Sequence, residues 1–236
     1  MAPRLRRGVL ITLEGGEGAG KTTVAEALAG LLRDEGYKVL RTREPAGTDL
    51  GRLIKEALER LAAPGEAAST GGGPAYGGGV TPAAELLLFE AARAQHVEEV
   101  IRPALERGEV VLCDRFSDST LAYQGYGRGL SLDHIRACNH IATGGLAPHL
   151  TLLLDVLPEV GLARAERRPS GDLGQVEAGD AIGRESLQFH RRVREGFLTL
   201  AQREPGRFQV LDAGPPAEAV TAAAWERVKG FLEHIL

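Results

Sequence analysis

Short apolar runs recur along the chain, and segments with helical spacing of apolar positions separate them. Near-continuous apolar runs are typical of buried parallel strands. The runs predict five strands, at 8–13, 38–42, 109–113, 150–155 and 207–212. The other segments predict helices at 20–35, 50–61, 83–107, 117–123, 131–143, 158–168, 184–203 and 216–234. Because strands alternate with helices, we expect an α/β fold with a five-stranded parallel sheet between two helical layers.

Two segments interrupt this alternation. Residues 64–82 are rich in glycine and proline, which predicts a mobile surface loop, with a substrate flap as the alternative. Residues 169–183 contain several glycines and no lysine or arginine, yet arginines stand on both sides. This pattern predicts a hinged lid with basic edges across 164–184. We expect the whole chain, 1–236, to form one domain.

Composition narrows the class of protein. The chain has 236 residues, 43% of them hydrophobic and 25% charged, which suffices for a core without disulfides or metal. Its net charge of −4 argues against a general nucleic-acid or membrane-surface binder. The two cysteines suggest no disulfide framework, so a reducing cytoplasm is expected. The first apolar run leads directly into a glycine-rich loop, which favours a strand over a signal peptide.

The segment after the first predicted strand has the most specific pattern. Residues 15–22, GGEGAGKT, fit the phosphate-loop pattern G-x-x-x-x-G-K-[ST], and a helical segment follows. Glycines let backbone N–H groups converge, and the helix N-terminus favours an anion there. Lys21 adds a positive charge, and the Thr22 hydroxyl is placed to hold Mg²⁺. The alternative is a glycine turn that happens to precede a helix.

Polar residues follow the third predicted strand. Asp114 and Arg115 come directly after it, at the edge where parallel sheets bind ligands. The carboxylate could reach Mg²⁺ opposite Thr22, and the guanidinium could grip a second phosphate with two N–H groups. A salt bridge at the end of a strand is the alternative interpretation.

Two helical patterns are compatible with a nucleoside pocket. Ser119, Thr120 and Tyr123 share one side of a helix, since residues three and four apart are neighbours. Phe89 and Arg93 share a face in the same way, so a base could stack on the ring while the guanidinium donates to its carbonyl oxygen. Helix capping with core packing explains the first set equally well, and a core phenylalanine beside an exposed arginine explains the second.

Taken together, the chain resembles bacterial thymidylate kinases along nearly its whole length. The similarity rests on the phosphate loop with Glu17 inside it, TREPAGT at 42–48, AELLLF with AARAQ at 84–95, DRF at 114–116, and ST with AYQG at 119–125. The resemblance implies a three-layer P-loop NTPase fold with a mobile lid. It also implies a homodimer and a cis peptide bond before Pro45.

The resemblance assigns roles to individual residues. It implies that ATP phosphates are bound by Gly15, Gly16, Gly18, Ala19, Gly20, Lys21, Thr22 and Thr23, and that Mg²⁺ is held by Thr22 and Asp114. The implied contacts to dTMP come from Glu17, Glu44, Lys55, Phe89, Arg93, Arg115, Ser119, Thr120, Tyr123 and Gln124. Among these, Glu17 binds the sugar 3′-hydroxyl, Arg115 bridges the acceptor phosphate and the transferred group, and Phe89 and Arg93 bind thymine. The Tyr123 ring crowds the 2′ carbon and favours deoxyribose.

The loop also indicates where catalytic charge comes from. Residues 16–19 include no lysine or arginine, so the charge must be supplied from elsewhere. Lid arginines, Arg164 and Arg168 with Arg167 between them, are the expected suppliers. The chain departs from the family pattern at the end of the lid, where Ala181 and Gly183 replace an expected arginine and carboxylate. Lys55 also stands where relatives often carry arginine.

The implied activity is dTMP phosphorylation by Mg-ATP with direct in-line transfer, which makes the protein a nucleoside monophosphate kinase. One alternative is another nucleotide or deoxynucleoside kinase with a different acceptor pocket. Another is a regulatory P-loop ATPase or binding protein without mononucleotide kinase activity, and the chain has no Asn-Lys-x-Asp motif for reading guanine.

Overall fold

A five-stranded, all-parallel sheet forms the centre of the structure. The computed structural model describes residues 7–62, 79–167 and 185–235, so most of the predicted loop and lid lie outside these ranges. The strands are β1 Val9–Glu14, β2 Val39–Arg43, β3 Val110–Asp114, β4 Leu150–Asp155 and β5 Phe208–Asp212. Their order across the sheet is β2-β3-β1-β4-β5. The strand prediction is confirmed, with boundaries shifted by at most one residue.

Helices connect consecutive strands. They are α1 Lys21–Asp34, α2 Asp49–Ala62, α3 Pro82–His96, α4 Arg102–Glu106, α5 Ser117–Thr120, α6 Leu132–Thr143, α7 Pro158–Glu166, α8 Leu187–Arg203 and α9 Ala217–Ile235. A π-helical segment, Val97–Ile101, joins α3 to α4, and a second one, Leu121–Gly127, continues α5. The helix predicted at 83–107 is therefore interrupted. Pro103 explains the interruption, because proline cannot donate to the preceding turn and a wider turn relieves the clash.

Alternate residues of each strand face two different helical layers. Ile11 and Leu13 of β1 pack in a core with Leu28 of α1 and Val228 of α9. Leu10, one position away, packs on the other side with residues of β3, α4 and the first π-helical segment, among them Val111, Ile101 and Ala104. Because side chains alternate along a strand, this distribution produces a sheet buried on both faces, as the apolar runs predict.

The register aligns the polar strand ends at one edge of the sheet. Leu13 pairs with Asp114, the last residue of β3, and Glu14 pairs with Leu153, two residues before the end of β4. The phosphate loop after β1 and the Asp114–Arg115 pair at the end of β3 therefore lie at the same edge of the sheet. None of the helices in the described ranges has the length and apolar character needed to cross a bilayer.

A buried ion pair connects α5 to the strands β1, β4 and β5. Asp118 is almost fully buried, and its two carboxylate oxygens accept hydrogen bonds from the guanidinium of Arg207, both at 2.7 Å. Arg207 also donates to the Thr151 hydroxyl at 2.7 Å, and that hydroxyl lies 2.9 Å from the hydroxyl of Thr12. This chain of contacts joins α5 to β1, β4 and the start of β5, so it fixes the helix that carries part of the candidate site.

We expect Arg207→Ala to lower the free energy of unfolding by about 3 kcal/mol, because it leaves the buried Asp118 carboxylate without its cation. Urea unfolding followed by circular dichroism measures this. Arg203→Ala, an exposed position on α8, is the control and should change stability by less than about 0.5 kcal/mol. Equal stabilities of the two variants would contradict the structural role of the pair.

Candidate active site

The loop between β1 and α1 is built for close approach of a phosphate group. Gly15, Gly18 and Gly20 all have positive φ, at 142°, 64° and 90°. A Cβ on Gly18 would overlap the carbonyl oxygen of Gly161 in α7, so a larger residue cannot keep this loop path. α1 begins at Lys21 with no side-chain cap, which leaves N–H groups of its first turn available to an anion. The ATP-binding residues predicted from sequence therefore form one continuous cradle.

Lys21 lies within this cradle. Its side chain is buried, and its ammonium group donates to the Gly16 carbonyl oxygen at 2.9 Å. The charge is thus held over the loop, near the N–H groups of the α1 N-terminus, rather than in bulk water. A bound phosphate would compete with the carbonyl for this donor, since a charged acceptor makes the stronger hydrogen bond.

Thr22 and Asp114 meet across the edge of the sheet. The Thr22 hydroxyl donates to Asp114 Oδ2 at 2.6 Å, and Asp114 Oδ1 is buried without a hydrogen-bond partner among the described residues. A hydroxyl and a carboxylate with an unsatisfied oxygen fit Mg²⁺, which takes few protein ligands and completes its shell with phosphates and water. Within the ranges that the structure describes, no group of three or more His, Cys, Asp or Glu could hold a metal ion.

Glu17, Arg115 and Tyr123 form a compact cluster beside the loop. Arg115 Nη2 donates to Glu17 Oε1 at 2.6 Å, and the Tyr123 hydroxyl donates to the same oxygen at 2.8 Å. Arg115 Nη1 lies 3.2 Å from the Gly15 carbonyl oxygen and 3.4 Å from the Ser119 hydroxyl. The Arg115 guanidinium also lies over the Tyr123 ring, 5.0 Å from its centroid. Four predicted substrate-binding residues are thus brought together. Burial raises the pKa of Tyr123, so its phenol stays protonated and donating.

Arg93 is held by a dense set of acceptors. Its guanidinium is buried and donates to Glu44 Oε2 at 2.9 and 2.7 Å, to Glu90 at 2.7 Å, to Asn139 at 2.8 Å and to the Phe116 carbonyl oxygen at 3.2 Å. The exposed arginine of the alternative interpretation is therefore wrong. All five N–H groups have acceptors in the protein, so a thymine oxygen would have to share the longest of these bonds.

The remaining base-pocket candidates lie close to this region. Phe89 is half-buried against the apolar cluster of Ile54, Leu58 and Ala92. Thr120 is buried on α5. The peptide bond between Glu44 and Pro45 is cis, as the resemblance implies.

Gln124 is oriented by residues that the sequence reasoning did not single out. Its amide nitrogen donates to Glu85 Oε1 at 2.6 Å, and Arg128 Nε and Nη2 donate to the Glu85 carboxylate at 3.1 and 3.0 Å. Arg128 also forms an ion pair with Glu185. The available signal was a glutamate among apolar residues of a helix, together with a glutamine and an arginine four positions apart.

Two predicted cations are directed elsewhere. The ammonium of Lys55 is 2.5 Å from Glu59, one turn further along α2. Arg164 donates to the carbonyl oxygens of Ala213 and Gly214, at 2.6 and 2.7 Å, in the loop between β5 and α9. In this arrangement the Arg164 guanidinium fixes that loop. Helix geometry alone could not reveal this, since the acceptors are backbone groups about fifty residues away.

Of the remaining predicted lid residues, the structure describes Arg167 and, beyond the lid, the chain from 185 to 235. Arg167 ends α7 and is exposed. Arg168, Ala181, Gly183 and the other lid positions through 184 lie outside the described residues.

Comparisons with known proteins agree with this geometry. A thymidylate kinase from Synechococcus sp. (strain JA-3-3Ab) is 51% identical, covering 94% of this chain and 95% of its own length. One from Deinococcus radiodurans is 49% identical, covering 95% of this chain and 98% of its own length. The crystal structure of thymidylate kinase from Ehrlichia chaffeensis superposes with a TM-score of 0.69 at 28% identity, covering 94% and 99% of the two chains. The sequence model described as thymidylate kinase matches residues 13–224. Since both the family model and close relatives span nearly its full length, the chain belongs to the thymidylate kinase family.

Proposed function

We propose that this protein transfers the γ-phosphoryl group of Mg-ATP to the 5′-phosphate of dTMP, giving dTDP and ADP. The observation that carries the proposal is the Glu17–Arg115–Tyr123 cluster, which lies directly beside the phosphate loop. A cradle for ATP phosphates alone fits many enzymes. A paired carboxylate and arginine at the mouth of that cradle provides a second binding position, where an acceptor phosphate and sugar fit together.

On the acceptor side, each residue of the cluster has a role that its contacts support. The Glu17 carboxylate, which Arg115 and Tyr123 hold in place, accepts a hydrogen bond from the sugar 3′-hydroxyl. The Tyr123 ring limits space at the 2′ carbon, which favours deoxyribose. Ser119 supports Arg115 and lies at the sugar end of the pocket.

At the base end, Phe89 stacks on thymine and Arg93 donates to its O4. Thr120 and Gln124 lie along the remaining edge of the base. Glu44 contributes indirectly, because its carboxylate orients Arg93. The Lys55 contact with the acceptor phosphate requires its ammonium to leave Glu59, which makes it the weakest of these assignments.

On the donor side, residues 15–23 bind the ATP phosphates through backbone N–H groups, and Lys21 moves from the Gly16 carbonyl oxygen to the outer phosphates. An oxygen of the acceptor phosphate attacks the γ-phosphorus while the bond to the β–γ bridging oxygen breaks, so ADP leaves in line with the attack. A Mg²⁺ ion held by Thr22 and Asp114 would neutralise charge on the β- and γ-phosphates. Positioning and electrostatics supply most of the rate enhancement.

Charge on the transferring group is balanced by Lys21 and Arg115. Because Arg164 is engaged with the loop between β5 and α9, we assign it to holding that loop beside α7. The candidates for the catalytic arginine of the lid are then Arg168, with Arg167 beside it, and Arg184 as a substitute. The proposal places the reaction in the cytoplasm, where the free thiols of Cys113 and Cys138 remain reduced.

We further propose that two copies associate through α2, α3 and α6. The three helices lie side by side: Ile54 and Leu58 of α2 pack with Ala92 of α3, and Arg93 of α3 bonds Asn139 of α6. Large apolar side chains are nevertheless exposed on them, at Leu50, Leu53, Leu61, Leu87 and Ile141. An apolar surface of this kind on a metabolic enzyme is best covered by a second copy of the same chain.

A mononucleotide panel tests the substrate assignment. With Mg-ATP and dTMP, dUMP, dCMP, dGMP or AMP offered separately, we expect the highest kcat/KM for dTMP, because the Tyr123 ring disfavours ribose and the base contacts match thymine. A coupled assay for ADP formation measures this. Equal or better turnover of a non-thymine nucleotide would contradict the substrate, and ATP turnover that ignored every mononucleotide would contradict the kinase activity itself.

Arg115→Ala tests the role of the cluster. We expect kcat to fall by about 10³-fold or more, since an arginine on the transferring phosphoryl group has an effect of that size. ATP affinity, measured by titration with a fluorescent ATP analogue, should stay within about threefold, because Lys21 and the loop amides are intact. Arg107→Ala, an exposed arginine paired with Glu109, is the control and should retain full activity. Retained turnover in Arg115→Ala would remove Arg115 from the mechanism.

Substitutions on the apolar helices test the dimer. We expect the wild-type protein to elute as a dimer in size-exclusion chromatography with light scattering, and the double variant Leu87→Glu/Ile141→Glu to elute as a monomer, because buried unpaired carboxylates oppose association. Ile235→Glu, an equally apolar exposed position on α9, should remain dimeric. A monomeric wild-type protein would overturn this part of the proposal.

A further inference from the structure

Glu14 is a buried carboxyl group that the proposed mechanism does not use. It is the last residue of β1, directly before the phosphate loop, and it is fully buried. Its Oε1 accepts a hydrogen bond from the Phe116 backbone N–H at 2.8 Å, and its Oε2 accepts one from the Ser119 hydroxyl at 2.6 Å. Both donors lie shortly after Arg115 in the chain: Phe116 is the next residue, and Ser119 is in α5.

The backbone of Arg115 needs such support. Its φ is 67°, and among the described residues it is the only non-glycine with positive φ. A non-glycine residue keeps a left-handed backbone conformation only where its surroundings hold it there. Such residues cluster at functional sites. The Arg115 N–H donates to the Leu13 carbonyl oxygen at 3.0 Å, and the next N–H, that of Phe116, donates to Glu14. Leu13 and Glu14, the last two residues of β1, therefore accept hydrogen bonds from both peptide N–H groups that flank the Arg115 Cα.

Glu14 also acts on the side chain of Arg115 through Ser119. Because the Ser119 hydroxyl donates its hydrogen to Glu14, its oxygen lone pairs remain for Arg115 Nη1, at 3.4 Å. One carboxyl group thus sets the main chain of the turn and one of the acceptors that the guanidinium meets. The hydrogen bonds of the Glu14 side chain go to Phe116 and Ser119, so we expect its effect on the reaction to pass through Arg115.

We propose that Glu14 is a positioning residue for phosphoryl transfer, whose carboxyl group fixes the Phe116 amide and the Ser119 hydroxyl so that Arg115 meets the acceptor phosphate in the reactive geometry. This inference rests on the proposed function, because it assumes that Arg115 binds that phosphate. The side chain must offer two polar atoms at the right reach, which glutamate and glutamine do and shorter or apolar residues do not.

The electrostatics of the pocket are compatible with this role. Burial, with the Asp118 carboxylate nearby, raises the pKa of Glu14 to about 8, while Arg115 and the two hydrogen bonds oppose that rise. A protonated carboxyl can still accept from the Phe116 N–H with one oxygen, and with the other it would donate to the Ser119 oxygen. That oxygen keeps a second lone pair for Arg115 Nη1, so the link to the guanidinium holds in both protonation states. Glutamine copies that form, so the arrangement predicts that it will substitute well.

The test compares three substitutions of Glu14 in the full chain. Glu14→Met keeps the volume and removes both acceptors, and we expect kcat with dTMP to fall about 10²-fold, as for a small misplacement of a catalytic group. Glu14→Gln should stay within about tenfold of wild type, whereas Glu14→Asp, shorter by one methylene, should lose more than Glu14→Gln does. Ile11→Val, a conservative change at a buried core position three residues earlier on β1, is the control and should keep its kcat.

Binding of ATP separates positioning from general damage. Affinity for a fluorescent ATP analogue should stay within about threefold in Glu14→Met, because the loop amides and Lys21 are unchanged. Loss of ATP affinity in parallel with kcat would overturn the proposal, and so would wild-type kcat in Glu14→Met. If Glu14→Met is too unstable to purify, Glu14→Asp decides: wild-type kcat in that variant also overturns it.

A double-variant cycle shows whether Glu14 acts through Arg115. Adding Glu14→Met to Arg115→Ala should lower the residual kcat/KM by less than about twofold, since the group that Glu14 positions is already absent. A further loss equal to that in the wild-type background would contradict the inference. If the wild-type protein neither binds dTMP by calorimetry nor phosphorylates it, the proposed function fails; if the wild type is active and Glu14→Met is equally active, only the role of Glu14 fails.

Discussion

The phosphate loop depends on contact between backbones. A Cβ at Gly15 would overlap the Leu154 carbonyl oxygen at the end of β4, and one at Gly18 would overlap that of Gly161 in α7. The loop is therefore pressed against β4 and α7 on one side, while Arg115 approaches it from β3 on the other and donates to the Gly15 carbonyl oxygen. Because the loop cannot move away in either direction, the position of Glu17 within it is fixed, and the acceptor cluster can be built on it.

The buried arginines at the carboxyl edge of the sheet are each paired with buried carboxylates, in two separate groups. Arg93 is matched by the carboxylates of Glu44 and Glu90, and Arg115 by that of Glu17. Leaving any one of these groups buried without its partner would cost several kcal/mol, so each unit stabilises the geometry of its neighbours. Glu90 Oε2 and Asp114 Oδ1, by contrast, are buried without hydrogen bonds in the described structure. Asp114 Oδ1 lies where the proposed cation would bind, which accounts for its missing hydrogen bond. No such reason applies to Glu90 Oε2.

The sequence predicted the sheet and the loop because their signals are local. Apolar runs identify buried strands, and the glycine spacing of 15–22 has few other uses. The directions of long side chains depend on distant partners, and there the prediction was weaker. Arg164 donates to carbonyl groups of the loop between β5 and α9. Arg93 is enclosed by acceptors from α6 and from the segments that follow β2 and β3. In the sequence Glu14 is only a charge at the end of an apolar run, and its partners Phe116 and Ser119 lie about one hundred residues away.

The two halves of the site differ in how much they must rearrange. On the acceptor side, Glu17, Arg115 and Tyr123 already bond one another, so a nucleotide meets groups that need little ordering, which favours both affinity and selectivity. On the donor side, the proposed function requires Lys21 to leave the Gly16 carbonyl oxygen and the bond between Thr22 and Asp114 to open for a cation. These exchanges are favourable, because the charged phosphates of ATP and its metal ion bind these side chains more strongly than the neutral carbonyl and hydroxyl groups that they displace. Selectivity for the nucleotide should therefore reside in the rigid acceptor side, while the donor side adapts to phosphates that are common to many substrates.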